Sequence, residues 1–190
     1  MLARIASLVV DVVGDFFVFL LLARFHFQWL RVPFRNQAGE FVIATTNWIV
    51  KPARRLVPPL FGLDLASWLC AWLLQAFALF LLLTLGGRDF SSAPGIAAAG
   101  LFALALVDLV AYSLKFLLFM VIVQVVMSWF VSYNPLHPVL DAATRPFLRP
   151  IRRLVPPVAN VDLSPMVLSL VLIVLLVPLA DLRALVAGMF

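Results

Sequence analysis

Of 190 residues, 65% are hydrophobic and 12% charged, with a mean hydropathy of +1.12. Soluble domains carry about 45–50% apolar and about 25% charged residues, so an ordinary soluble domain is excluded and an all-α integral membrane protein is implied. The formal charge of +5 lies in short loops beside long apolar runs, where basic residues set topology or touch anionic lipid headgroups, so no direct nucleic-acid partner is expected.

A membrane-crossing helix needs about 20 apolar residues. The chain starts with a short basic stretch, Met1 to Arg4, and turns apolar. Asp11 and Asp15 interrupt the core a cleaved signal peptide would need, so this stretch is expected to stay as a first span, over about residues 5–30. The loop after it carries Arg31, Arg35, Lys51, Arg54 and Arg55. Within it residues 40–50 suit a helix with Trp48 as interfacial anchor, and Pro58-Pro59 would end the segment. Asp64 is placed to cap the second span, about 65–85, and Gly86-Gly87 to stop it.

The central connection holds Arg88 balanced by Asp89. Ser91, Ser92 and Pro94 suit a helix start. The third span is expected over about 102–131; residues 94–101 either extend it, so that it tilts or projects, or form a separate lead-in. Gly95, Ala99 and Ala103, four apart, read as an internal packing seam in preference to a self-association face.

Asn134, Pro135 and His137 open the second loop, His137 being expected to orient the turn. Asp141, Arg145, Arg149 and Arg153 recur every four residues opposite Leu140, Phe147, Ile151 and Leu154, an amphipathic pattern. Pro146 and Pro150 predict two short helical pieces in the headgroup plane rather than one helix. Pro156-Pro157 would end them, and Asp162 and Ser164 would cap the fourth span, about 164–187.

The two basic segments match each other. At a shift of 98, Pro52, Arg54, Arg55, Leu56, Val57, Pro58, Pro59, Asp64 and Leu65 fall on Pro150, Arg152, Arg153, Leu154, Val155, Pro156, Pro157, Asp162 and Leu163. The chain therefore reads as two tandem parallel repeats, 1–88 and 89–190, each a span, an interfacial basic segment (36–63 and 134–161) and a span. Two spans per unit give both units one orientation, and the positive-inside rule puts both basic loops in the cytoplasm and both termini outside.

Ionisable residues inside spans cost about 2.5–3.5 kcal/mol each and need partners or a function. Asp11, Asp15, Asp108 and Lys115 are the intramembrane candidates, with Gln75 and Gln124 as further polar groups. Asp15 aligns with Ser113, two residues before Lys115, which suggests an Asp15–Lys115 pair. A structural clamp is favoured over an ion or proton path. Arg24 and His26, near the end of span one, are expected to snorkel toward headgroups.

Two histidines and the lone Cys70 give no metal set, no cofactor is expected, and no phosphate loop, nucleophile elbow or HExxH stands in the chain. An enzyme is not expected. The lipid- or partner-binding candidates are Arg54, Arg55, Asn134, Pro135, His137, Arg145, Arg149, Arg152 and Arg153, each guanidinium being worth about 1 kcal/mol near an anionic surface.

The stretch SWFVSYNPLHPVLDAATRPFLRPIRRLVPP followed by VDLSP resembles the signature of the YggT family. Its strongest motifs are Asn134-Pro135-Leu136-His137-Pro138, Arg149-Pro150-Ile151-Arg152-Arg153 and Asp162-Leu163-Ser164-Pro165. The first copy departs at the first of these motifs, where RNQAGE stands against YNPLHP and keeps only Asn36 against Asn134. The resemblance implies a small multi-pass protein of the bacterial inner membrane, of a family with no assigned enzymatic activity; the termini placed outside by the positive-inside rule would then be periplasmic. It also implies roles in cell division, envelope or nucleoid organisation and osmotic-stress tolerance, and, among chloroplast relatives, in assembling the cytochrome b/f complex through haem attachment. The expectation is a membrane organiser or assembly factor that binds a protein partner through residues 133–150 and can homo-oligomerise. A small channel or transporter using the Asp and Lys groups is the alternative.

Overall fold

The computed structural model describes residues 1–59, 62–88, 94–130, 136–155 and 162–189, with only the backbone of Trp129 and Phe130. Six α-helices form among them: α1 (Leu2–Trp29), α2 (Gln37–Leu56), α3 (Leu65–Leu85), α4 (Pro94–Phe130), α5 (His137–Leu154) and α6 (Ser164–Ala187). Four of these, α1, α3, α4 and α6, are long and apolar enough to cross a membrane.

Their exteriors are apolar as well. Ile5, Leu8 and Val9 on α1 and Leu170, Ile173 and Val174 on α6 are each more than half exposed, a pattern that suits hydrocarbon and not water. Small residues bring the spans together: a Cβ on Gly14 of α1 would lie 3.3 Å from Ala78 Cβ on α3. The third apolar run is one helix from Pro94, 37 residues long, so residues 94–101 extend the span; Ser91, Ser92 and Asp89 lie outside the described residues. Gly95, Ala99 and Ala103 are all exposed. They form no internal seam, because the buried face of this turn of α4 is made by Ala97, Leu101, Leu104 and Ala105.

The two intervening helices are amphipathic. Chain reversal after α1 uses Arg31 at φ 54°, with Val32 N–H donating to Phe27 O and Arg31 N–H to Gln28 O, a Schellman closure. Asn36 then caps α2, its side chain accepting from Gly39 N–H at 2.9 Å. Gly39 is required there, since a Cβ would lie 2.5 Å from Phe34 O.

α2 buries Val42, Thr46 and Val50, and α5 buries Val139, Leu140, Ala143, Thr144 and Leu148. α5 is a single helix through Pro146 and Pro150, not two pieces. Both prolines are exposed and four residues apart. The carbonyls they leave without an amide partner therefore fall on the outer side, while the apolar side packs without interruption.

α2 and α5 both join α1 and α4 in one buried cluster, where Val42, Val139 and Leu140 meet Phe27 and Phe116. Both end 98 residues apart, at Leu56 and Leu154, in extended C-caps: Val57 at φ −122°, ψ 93° and Val155 at φ −117°, ψ 96°. Pro156-Pro157 lie outside the described residues.

Candidate functional sites

Polar groups gather at two levels of the helical bundle, with an apolar layer between them. The first level lies where α2 and α5 meet the spans. Asp64, the residue before α3, is fully buried. Its side chain caps no backbone amide; Arg54 takes it in a fork instead, Nε to Oδ1 at 3.2 Å and Nη2 to Oδ2 at 2.5 Å. Ser67 Oγ donates to Oδ2 at 2.6 Å, and Arg24 Nε stands 3.3 Å from the same oxygen. Burial alone would raise the Asp64 pKa, but the hydrogen bonds from Arg54 and Ser67 and the charges of Arg54 and Arg24 hold it below the ordinary 3.8.

Arg24 does not snorkel. It is 5% exposed and its Nη1 donates to Thr46 Oγ1 at 2.9 Å and Asn47 Oδ1 at 3.0 Å, so one guanidinium joins α1, α2 and the entry to α3. His26 is buried too. Its Nδ1–H donates to Leu22 O at 2.7 Å and its ring lies 5.2 Å from that of Phe116. The reason is alike for both: α2 covers Arg24 through Thr46 and Asn47, and Phe116 of α4 packs on His26, so neither side chain runs out to the headgroups.

The second half repeats part of this. Arg152 Nε donates to Asp162 Oδ2 at 2.9 Å, and Asp162 Oδ1 accepts the Ser164 N–H at 2.9 Å, so here the aspartate does cap its helix. Burial opposes ionisation of Asp162 as well, but the hydrogen bond from the Ser164 amide and the Arg152 guanidinium keep its pKa below the usual 3.8. Thr144, 98 residues after Thr46, is likewise buried and donates to Gln124 Oε1 at 2.7 Å.

Three candidate lipid-binding arginines are thus engaged within the protein: Arg54, Arg152, and Arg145, which pairs with Asp141 one turn away. Arg55, Arg149 and Arg153 are exposed, with no hydrogen-bond or ion-pair partner among the described residues. His137 is the exposed first residue of α5, while Tyr133, Asn134 and Pro135 lie outside the described residues.

The second level is a cleft of about 430 Å³ toward the other end of the bundle, lined by residues of α1, α3, α4 and α6. Asp108 is held by Arg183 Nε at 2.7 Å and Gln75 Nε2 at 3.0 Å. Asp15 accepts the Tyr112 hydroxyl, and Lys115 Nζ sits 5.1 Å from the centre of the Tyr112 ring. The expected Asp15–Lys115 ion pair is therefore absent, Tyr112 standing between their roles. Asp11 lines the cleft as well. Arg183 and Tyr112 escaped the sequence reading, although counting charged residues in span four as in the other spans would have found Arg183. Val18, Leu21, Leu22 and Ala71, none more than 1% exposed, separate the two levels. Among the described residues no three His, Cys, Asp or Glu gather as a metal site.

Four apolar spans, two amphipathic basic helices and charged groups buried between spans define a multi-pass α-helical membrane protein. The chain belongs to the CCB3/YggT family, whose model matches residues 3–85 and 103–182. It is 34% identical over 181 residues to the uncharacterized protein YggT of Escherichia coli K12, covering 92% of this chain and 89% of the relative. It is 30% identical over 166 residues to the uncharacterized protein PA0392 of Pseudomonas aeruginosa, covering 84% and 80%. To an uncharacterized protein in the proC 3′ region of Vibrio alginolyticus it is 28% identical over 167 residues, covering 85% and 86%. No solved structure matches the chain, and none of these relatives' names assigns an activity.

Proposed function

We propose that the protein is a non-enzymatic organiser or assembly factor of the bacterial inner membrane, anchored to anionic lipid through α2 and α5 and presenting their outer faces to a protein partner. The observation that carries this reading is a division of labour within each Arg-Arg-Leu triplet. The first arginine, Arg54 or Arg152, holds the aspartate before the next span. The second, Arg55 or Arg153, is exposed and has no partner among the described residues. Beside it Leu56 and Leu154 are 85% and 82% exposed.

A free guanidinium next to a bare leucine suits a phosphate and an acyl chain together. The planar fork binds phosphate bidentately and the leucine enters the hydrocarbon boundary. Trp48, 64% exposed on α2, adds an interfacial anchor of the same kind.

The recurrence of these features at a shift of 98, together with one family match in each half, supports two tandem parallel repeats. By the positive-inside rule the α2 and α5 end faces the cytoplasm and both termini the periplasm. Cell division, envelope assembly and osmotic-stress tolerance are the processes this reading favours.

The test uses protein extracted in mild detergent, with its bound lipids counted by native mass spectrometry. Arg55→Gln with Arg153→Gln should strip most of the anionic lipid while leaving neutral lipid in place; an unchanged anionic complement sinks the anchoring role. A photoreactive residue at Arg149 then addresses the partner. Leu148 is unsuitable because it is fully buried against α4 and α6. One dominant protein adduct is expected, and lipid adducts alone would refute the partner.

A further inference from the structure

The cleft holds more negative charge than its own cations neutralise. Asp108 is committed to Arg183 and Gln75, and Asp15 takes the Tyr112 hydroxyl. Lys115 lies over that tyrosine's ring and makes no ion pair among the described residues. Asp11, one turn before Asp15, has no hydrogen-bond or ion-pair partner among the described residues. Three carboxylates, Asp11, Asp15 and Asp108, face two cations, Lys115 and Arg183, which leaves one negative charge. An ionised side chain inside a span is costly, and two aspartates at i and i+4 repel each other besides. The arrangement lacks one positive charge.

Gln75 supplies a second, independent sign. It is 5% exposed and lines the cleft, yet its Oε1 has no hydrogen-bond partner among the described residues. The amide cannot be turned to cure this, because its Nε2 donates to the Asp108 carboxylate and a turned amide would set oxygen against oxygen. Gln75, Asp11 and Asp15 thus line one cleft, and the Gln75 acceptor and the Asp11 carboxylate have no partner among the described residues.

All are hard oxygen acceptors, which suit alkali cations or ammonium groups and not thiophilic metals. The single missing charge selects a monovalent ligand. We propose that the cleft binds one compact monovalent cation, an alkali ion or a primary ammonium, through Asp11, Asp15 and Gln75. The buried apolar residues Val18, Leu21, Leu22 and Ala71 stand between the cleft and the Arg24–Asp64 level, so the role proposed for the cleft is binding and not conduction. Its occupant ties α1 to α3 beside the close Gly14–Ala78 approach.

The test is thermal unfolding of the full chain in phosphatidylcholine nanodiscs at neutral pH. NaCl, KCl or methylammonium chloride is titrated at constant ionic strength against choline chloride, whose cation is too bulky for the same acceptors. The expected result is a saturable rise in the midpoint with one of the three cations and none with choline. Asp11→Asn should raise the half-saturating concentration at least tenfold, and Gln75→Leu likewise. The salt that works separates an alkali ion from an amine such as a lipid headgroup.

Equal midpoints in all four salts overturn the proposal, as does a saturable rise that Asp11→Asn leaves intact. Should Gln75→Leu fail to fold for want of its bond to Asp108, Asp11→Asn carries the test alone, since its side chain has no protein partner among the described residues. Neutral lipid removes the anionic headgroups on which the reading of α2 and α5 rests, so a failure here is distinct from a failure there.

Discussion

Asp64 and Asp162 occupy matching places, ten residues after an arginine that each of them holds, yet their surroundings differ. Asp64 is fully buried and meets two guanidiniums and a hydroxyl. The Asp162 side chain is 40% exposed and meets one guanidinium and a backbone amide. Two residues make the difference: Ser67, whose counterpart 98 later is Pro165, supplies the hydroxyl, and the other lies on the preceding span. Arg24 reaches Asp64 from α1, whereas the residue 98 later is Ile122, which has no charge to offer Asp162. The same motif thus works as an internal bolt in the first half and as an ordinary helix cap with a surface ion pair in the second.

The largest effect expected from this contrast is at Asp64. Asp64→Ala leaves Arg24 buried without its counter-charge, and breaking a buried pair from one side costs about 3–5 kcal/mol. Chemical unfolding of the protein in detergent should show that loss. A cost no greater than that of Asp162→Ala would erase the distinction.

Acid offers a second way to break the comparison. Because the folded Asp64 carboxyl lies below 3.8, its contribution is complete above that pH and is lost as pH falls through the lower folded value, where the folded state takes up the proton. The Asp162 contribution has the same sign but is smaller, being screened by solvent. The part of wild-type stability that Asp64 carries should therefore hold above 3.8 and decline below it. Asp162→Asn should keep most of that decline, and Asp64→Asn should abolish most of it.

The sequence displayed the spans clearly because hydropathy is additive along the chain and needs no knowledge of neighbours. It displayed the shift of 98 for the same reason. What it hid are contacts between elements far apart in the chain. Arg24 looks like a snorkelling residue until Asp64 and Thr46 are placed beside it. Asp15 and Lys115 look like a pair by charge alone, but each of them meets Tyr112 instead, a residue without charge.

The two prolines of α5 misled for a different reason. The cost of proline in a helix depends on whether the carbonyls it strands are buried, and only the folded helix reveals that Pro146 and Pro150 lie on the exposed side.

Smaller effects sharpen the contrast further. Asp162→Asn keeps an oxygen to accept the Ser164 N–H and loses only an exposed ion pair, so it should cost under about 1 kcal/mol. Arg153→Gln should be smaller still, within about 0.5 kcal/mol by unfolding, because the Arg153 side chain holds nothing within the described protein. Its neighbour Arg152 is the informative control. If the two arginines divide their work as the geometry indicates, Arg152→Gln lowers stability without changing the anionic lipids retained, and Arg153→Gln does the reverse. Equal effects of the two changes on both readouts would mean that the arginines exchange roles in the membrane, and the separation between bolt and anchor would then belong to the first half alone.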